Sequence, residues 1–167
     1  LSRFVALKVL LRTDDAAKDR FLVEAHRQAK LNHPNLVPIH DIGELPKGHP
    51  FLVMEYIEGE TLRERINTGQ PFPLKVAALL VKRVAEAVAE LHGANAKSTG
   101  ELGSCSVHQD IKPENVLLDN LEEPHLADFG LLATVGNLHS SSEAIGGTIA
   151  YMSPEQADDV HHVDHRA

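Results

Sequence analysis

Residues 108–130 read HQDIKPENVLLDNLEEPHLADFG, and the chemistry rests on Asp110, Asn115 and Asp128, with Lys112 between the first two. The carboxylate of Asp110 is placed to meet an attacking hydroxyl. The amide of Asn115 and the carboxylate of Asp128 are oxygen donors of the kind a hard cation takes. Mg²⁺ demands octahedral oxygen ligands and usually shares itself between one or two protein groups and substrate phosphates. The short polar loop 110–115 runs into the β-like apolar run Val116-Leu117-Leu118, and after a turn a second short strand ends at Asp128-Phe129-Gly130. Such a strand–turn–strand predicts Asn115 and Asp128 side by side, although they lie 13 positions apart. By spacing, this is a phosphoryl-transfer site.

Composition narrows the classes around that stretch. The chain has 167 residues, enough for a real core, and a formal net charge of −8 with no basic run. That balance argues against nucleic acid or an anionic membrane surface as a main partner. The single cysteine, Cys105, excludes an intrachain disulfide framework and suits a reducing cytosol. No apolar run approaches bilayer-spanning length, so no membrane contact is expected from this segment. There is no internal repeat and no low-complexity tract.

Taken in order, Phe4-Val5-Ala6-Leu7-Lys8-Val9-Leu10 is apolar on both parities apart from Lys8, the pattern of a buried strand. A lone lysine there needs a partner, or must snorkel to the strand edge. Residues 14–31 form a helix candidate, capped by Asp14 or Thr13, with Phe21, Leu22, Ala25 and Ala29 on one stripe. Glu24 sits beside that stripe, either as a solvated acid or as the counter-ion of Lys8. His33-Pro34-Asn35 stops the helix. Residues 36–43 and 50–55 read as strands around the turn Pro46-Lys47-Gly48. In residues 74–92, Val76, Leu79, Leu80, Val84, Ala87, Val88 and Leu91 recur at helical steps and predict a core helix. Residues 93–106, rich in Gly, Ser, Ala and Asn, read as a surface insertion or flexible loop. Residues 131–147 read as a mobile loop carrying Thr134, Ser140, Ser141 and Ser142. His161 and His165, four apart, have the spacing of a helical metal pair, but the polar text around them fits an exposed linker better.

His108-Gln109-Asp110-(x4)-Asn115 resembles the protein-kinase catalytic loop H-R-D-x-x-x-x-N, and Asp128-Phe129-Gly130 resembles its D-F-G. The variant DIKPEN, with Lys112 two residues after the acid, is similar to Ser/Thr rather than Tyr kinases. The wording HPNLVPIHDIG, IKPENVLLD and GTIAYMSPEQA resembles the bacterial, eukaryotic-like (Hanks-type) Ser/Thr protein kinases. The resemblance covers essentially the whole chain. It implies an α+β, two-lobed, partial kinase-like fold: residues 1–57 as a small β-rich lobe with one helix and the hinge, and residues 58–167 as a mainly helical large lobe. It implies ATP and Mg²⁺ (or Mn²⁺) as cofactors, a protein substrate, and a cytoplasmic setting, any membrane anchor lying outside this segment.

Residue by residue, the resemblance implies that Asp110 orients the acceptor hydroxyl and takes its proton, while Lys112 steadies the transferring phosphoryl oxygens. Asn115 and Asp128 hold Mg²⁺. Lys8, matching V-A-I-K and paired with Glu24, aligns the phosphates. Thr148 hydrogen-bonds Asp110 and Lys112. Ala6, Met54, Leu117 and the backbone at Glu55 and Ile57 enclose adenine, and Glu60 faces the ribose. Gly147-Thr148-x-x-Tyr151-Met152-Ser153-Pro154-Glu155 closes the activation segment, with Ser-Pro-Glu where relatives have A-P-E.

There are departures. Gln109 replaces the arginine that pairs with a phosphorylated loop, and a neutral amide cannot make that bidentate pair. Loop phosphorylation is therefore not expected to be the dominant on-switch. The glycine-rich phosphate loop and the later large-lobe helices are absent from these residues, and a kinase domain takes roughly 250 residues. The piece alone is expected to be inactive and marginally stable, with exposed apolar surface. Two rivals remain open: a pseudokinase or ATP-binding scaffold, and a small-molecule phosphotransferase of kinase-like fold. The acceptor discriminates among them.

Overall fold

The structure, a computed structural model, describes residues 3–11, 14–46, 48–99, 108, 110–128 and 150–158. Two three-stranded antiparallel sheets organise them, each with its own apolar cluster. The first sheet comprises β1 (Val5–Val9), β2 (Ile39–Leu45) and β3 (His49–Glu55), in the order β1-β3-β2. Lys8 stands opposite Leu52 and Ala6 opposite Met54. In β3 the alternation is strict at its start: Pro50 and Leu52 are buried while their neighbours are half-covered. Helix α1 (Asp15–Gln28) covers that buried face, and Phe21 and Ala25 close on Leu52. Asp14 caps α1 by accepting the Ala17 N–H at 2.9 Å. This satisfies one of the four unpaired donors at the helix start.

The second sheet comprises β4 (Gly59–Thr61), β5 (Val116–Asp119) and β6 (Pro124–Leu126), in that spatial order. Gly59 is required by close approach: a Cβ there would fall inside the carbonyl group of Leu118 on the paired strand. Thr61 then opens helix α2 (Leu62–Asn67) with a reciprocal capping box to Glu64. The Thr61-Leu62-Arg63-Glu64 spacing carries that signal in the sequence, where no helix was expected. Helix α3 (Leu74–Thr99) buries Leu80, Ala87 and Leu91 against Val116, Leu118 and Leu126. A short helix α4 (Pro154–Asp158) ends the described residues.

Two sequence expectations need correction. The strand expected over 36–43 is split at Pro38, which has no N–H to give a ladder. Leu36 instead makes an isolated parallel bridge to Leu126 at the edge of the second sheet: Val37 N–H donates to the Leu126 carbonyl at 3.0 Å, and Leu126 N–H to the Asn35 carbonyl at 2.8 Å. Leu36 is accordingly buried in the second cluster. Nor is 93–106 wholly a loop, since α3 continues through Thr99. A single helical glycine costs only about 1 kcal/mol, and the alanines at 94 and 96 are the best helix formers. Beside α3 the exposed Val81 and Ile111 line an apolar groove of about 570 Å³ with Leu80, Val84, Val88 and Tyr151.

Candidate active site

The residues of 110–115 converge on one carboxylate. Lys112 is extended, and Pro113 opens a single 3₁₀ turn, Pro113–Asn115. Proline is tolerated in a first helical turn because its missing N–H would have no partner there. The turn carries Asn115 back over Asp110. Its Nδ2 donates to the Asp110 carbonyl oxygen and to Oδ2, both at 2.8 Å. Lys112 Nζ donates to the same Oδ2 at 2.9 Å. Asp110 and Asn115 are buried, and a carboxylate so covered needs this compensation.

Below them lies His108, with only 1% of its surface exposed. The Asp110 N–H donates to Nδ1 at 3.3 Å, and Nε2 lies 3.1 Å from the Ala127 carbonyl oxygen. Those partners fix the neutral tautomer with the proton on Nε2, donated to Ala127. Burial pushes the imidazole down to about 4, outweighing the bond to Ala127 and the charges of Asp110 and Asp128, which act the other way. His108 thus ties the two acidic segments together as an uncharged strut. In the sequence it stands only as the first residue of the catalytic-loop motif.

Asp128 is registered by its neighbour. The Ala127 N–H donates to the Asn115 carbonyl at 2.8 Å, so the strand–turn–strand does bring 115 and 127–128 together. Strand β6 stops at Leu126, earlier than expected, and Asp128 adopts a left-handed φ of +59°. That region is uncommon for residues other than glycine, though asparagine and aspartate enter it most readily, and such strain concentrates at functional sites. The Asp128 carboxylate faces Lys8: Nζ and Oδ1 are 2.6 Å apart, joining β1 of the first sheet to the end of the second hairpin. Glu24 stands on α1, but its side chain lies outside the described residues, as do Gln109, Phe129, Gly130, Thr148 and the histidines at 161, 162 and 165. The partner observed for Lys8 is Asp128.

At the other edge, the Glu55 N–H donates to the Pro38 carbonyl at 2.9 Å, and its carboxylate lies 3.3 Å from His40 Nε2. Ile57 follows outside the strand, with no backbone hydrogen bond among the described residues. In β5, Val116 and Leu118 are buried against α3, so Leu117 points to the opposite face. Glu60 is exposed and pairs with Leu118 through the backbone.

Sequence reading missed one further cluster. Arg63 Nε on α2 donates to Glu114 Oε1 at 2.9 Å, its Nη2 donates to the Tyr151 hydroxyl, and its guanidinium carbon is 5.4 Å from the Tyr151 ring centre. Burial raises the Glu114 carboxyl, but its hydrogen bonds and the charges of Arg63 and Lys112 prevail and hold it below the usual range. An arginine on an exposed helix turn carries no sequence signal of such a role.

A protein-family profile described as "Protein kinase domain" matches residues 2–166. The chain belongs to the protein kinase family. It is 40% identical over 163 residues to the serine/threonine-protein kinase PknL of Mycobacterium tuberculosis, covering 95% of this chain and 38% of that protein. It is 34% identical over 161 residues to PrkC of Bacillus subtilis, also a serine/threonine-protein kinase, covering 94% of this chain and 23% of that protein. With PknB of Mycolicibacterium smegmatis the identity is 36% over 168 residues, 94% of this chain and 25% of that protein. The kinase chain therefore spans well under half the length of these relatives. Two sheets with flanking helices accord with a partial two-lobed kinase fold. Among the described residues, no helix of this kinase chain is long and apolar enough to cross a membrane.

Proposed function

We propose that this kinase chain carries the machinery that transfers the γ-phosphoryl group of ATP to serine or threonine hydroxyls of a protein. The observation that carries the reading is Asp110, buried and held at Oδ2 by both Asn115 and Lys112. That clamp turns the carboxylate into a fixed acceptor. Asp110 orients the hydroxyl and takes its proton as the new P–O bond forms and the bond to the β-phosphate bridging oxygen breaks. A carboxylate is a weak base, so orientation is its larger contribution. Lys112, already within reach of Asp110, steadies the phosphoryl oxygens in passage. The loose transition state leaves the protein mainly positioning and charge neutralisation to perform.

The residues present fit Mg²⁺. Asn115 commits Nδ2 to Asp110, which leaves its amide oxygen as a donor, and Asp128 adds a carboxylate one residue beyond the Asn115–Ala127 bond. A bound divalent cation supplies charge neutralisation at the phosphates. Lys8 supplies a second cation at the same place and, with Glu24, aligns the phosphates. Ala6, Met54, Leu117 and the backbone at Glu55 and Ile57 enclose the adenine, with Glu60 toward the ribose. The Glu55 side chain turns to His40, which is consistent with backbone recognition there. Thr148 completes the acceptor side. In this reading residues 1–57 act as the upper lobe and 58–167 as the lower, and dependence on ATP puts the chain on the cytoplasmic side.

The test is Mg²⁺-dependent phosphate transfer from ATP by the intact protein, beside an Asp128→Ala control. Transfer to itself or to a generic protein acceptor, abolished in the control, is the expected result. Nucleotide binding without transfer would instead identify a scaffold, and transfer only to small-molecule hydroxyls a different acceptor class.

A further inference from the structure

Arg63 joins three segments that are far apart in sequence: α2, the 3₁₀ turn of the catalytic loop, and the stretch that precedes α4. Its partners are unlike each other. Glu114 lies between Lys112 and Asn115, the two residues that clamp Asp110. Tyr151 lies three residues after Thr148, in the segment that leads into Ser153-Pro154. Glu114 Oε1 takes the Arg63 bond, while its Oε2 is covered and has no hydrogen-bond partner among the described residues. Arg63 therefore supplies the carboxylate's cationic hydrogen-bond partner, and a half-covered acid gives up such a bond at a cost. The same guanidinium holds Tyr151 through the hydroxyl while lying near the ring. Around this polar knot the surface is apolar: Leu62, Ile111 and Pro113 line the groove that Tyr151 also borders. Tyr151 is 44% exposed, and among the described residues its hydroxyl meets Arg63.

We propose that Arg63 is a positioning residue for the protein acceptor, setting the Tyr151 segment against the catalytic loop so that the acceptor hydroxyl arrives at Asp110. This rests on the phosphoryl-transfer reading and goes beyond it by naming the element that couples the acceptor platform to the catalytic carboxylate. The planar guanidinium suits the task because one group gives separate, fixed donors to a carboxylate and a hydroxyl. A lysine ammonium, a point charge on a flexible stem, does not reproduce that geometry. The nucleotide-side groups, Lys8 and Asp128, are outside this network, so loss of Arg63 is felt at the acceptor.

The experiment compares steady-state transfer by the intact protein, wild type against Arg63→Ala, Arg63→Lys, Tyr151→Phe and the Arg63→Ala/Tyr151→Phe double variant. KM is measured separately for a protein acceptor and for ATP. Arg63→Ala is expected to raise the acceptor KM by about 10-fold, as for one charge-assisted bond at a half-exposed site, with ATP KM changed less than about twofold. Tyr151→Phe leaves the Arg63–Glu114 pair intact and is expected to reproduce part of that rise, with an unchanged melting temperature. Arg63→Lys is expected to rescue incompletely. The double variant is expected to be no worse than Arg63→Ala alone, because both remove one connection. Equal losses in ATP and acceptor KM, or single effects that multiply in the double variant, would overturn the proposal. A wild-type protein that transfers no phosphate would instead overturn the reading on which it rests.

Discussion

Acidification should unlock the site from beneath, through His108. In the folded protein burial holds this imidazole at about 4, against 6.5 for an exposed histidine. Between those values the unfolded chain binds a proton that the folded chain refuses, so stability rises with pH across that window. The contribution is complete above about 6.5, declines as pH falls toward 4, and is flat below. At about 1.4 kcal/mol per pH unit, the full span amounts to roughly 3 kcal/mol. Local geometry loses at the same time: a protonated Nδ1 would present a donor to the Asp110 N–H, which is itself a donor. The assay is denaturant unfolding of the intact protein from pH 8 to pH 4, wild type beside His108→Phe. The variant starts lower because the bonds to Ala127 and Asp110 are lost. The wild-type advantage is expected to shrink by about 3 kcal/mol between pH 7 and pH 4. Two parallel curves would refute the reasoning, since they would mean that His108 titrates alike in the folded and unfolded chain.

Asp110→Asn keeps the shape of the clamp but not its charge or basicity; phosphate transfer should fall by about 10²- to 10⁴-fold, with ATP affinity little changed, as read by initial rates and nucleotide titration. Gly59→Ala should destabilise by about 3 kcal/mol or more, because the obstacle to its Cβ is the backbone of β5; a melting temperature equal to wild type would contradict the close approach. Thr61→Ala removes the capping box of α2 and should cost about 1 kcal/mol in chemical denaturation.

Much of this protein is written locally. The Asp14 cap and the Phe21–Ala25 stripe specify α1, and the repeat from Leu80 to Leu91 specifies α3, because a side chain's helical neighbours lie three and four residues away. The group Asp110, Lys112, Asn115 is equally legible, since a proline-opened turn closes it within six residues. Boundaries were less so. Pro38 diverts the chain from one sheet to the other, and Gly93 lies within α3 rather than ending it. Proline's missing N–H interrupts the first, while the glycine's small cost and the helix-forming alanines after it carry the second.

By itself, then, the sequence determined the kinase family and which short segments hold the candidate residues, since motifs, turns and hairpins depend on near neighbours. Only the tertiary structure decided the long-range pairings. Lys8 meets Asp128 across 120 positions, His108 braces Ala127 from below Asp110, and Arg63 gathers Glu114 and Tyr151. A charge or a ring nitrogen is satisfied by any partner of the right chemistry. Which one it meets is fixed by how the two sheets and their helices pack, and no spacing along the chain records that.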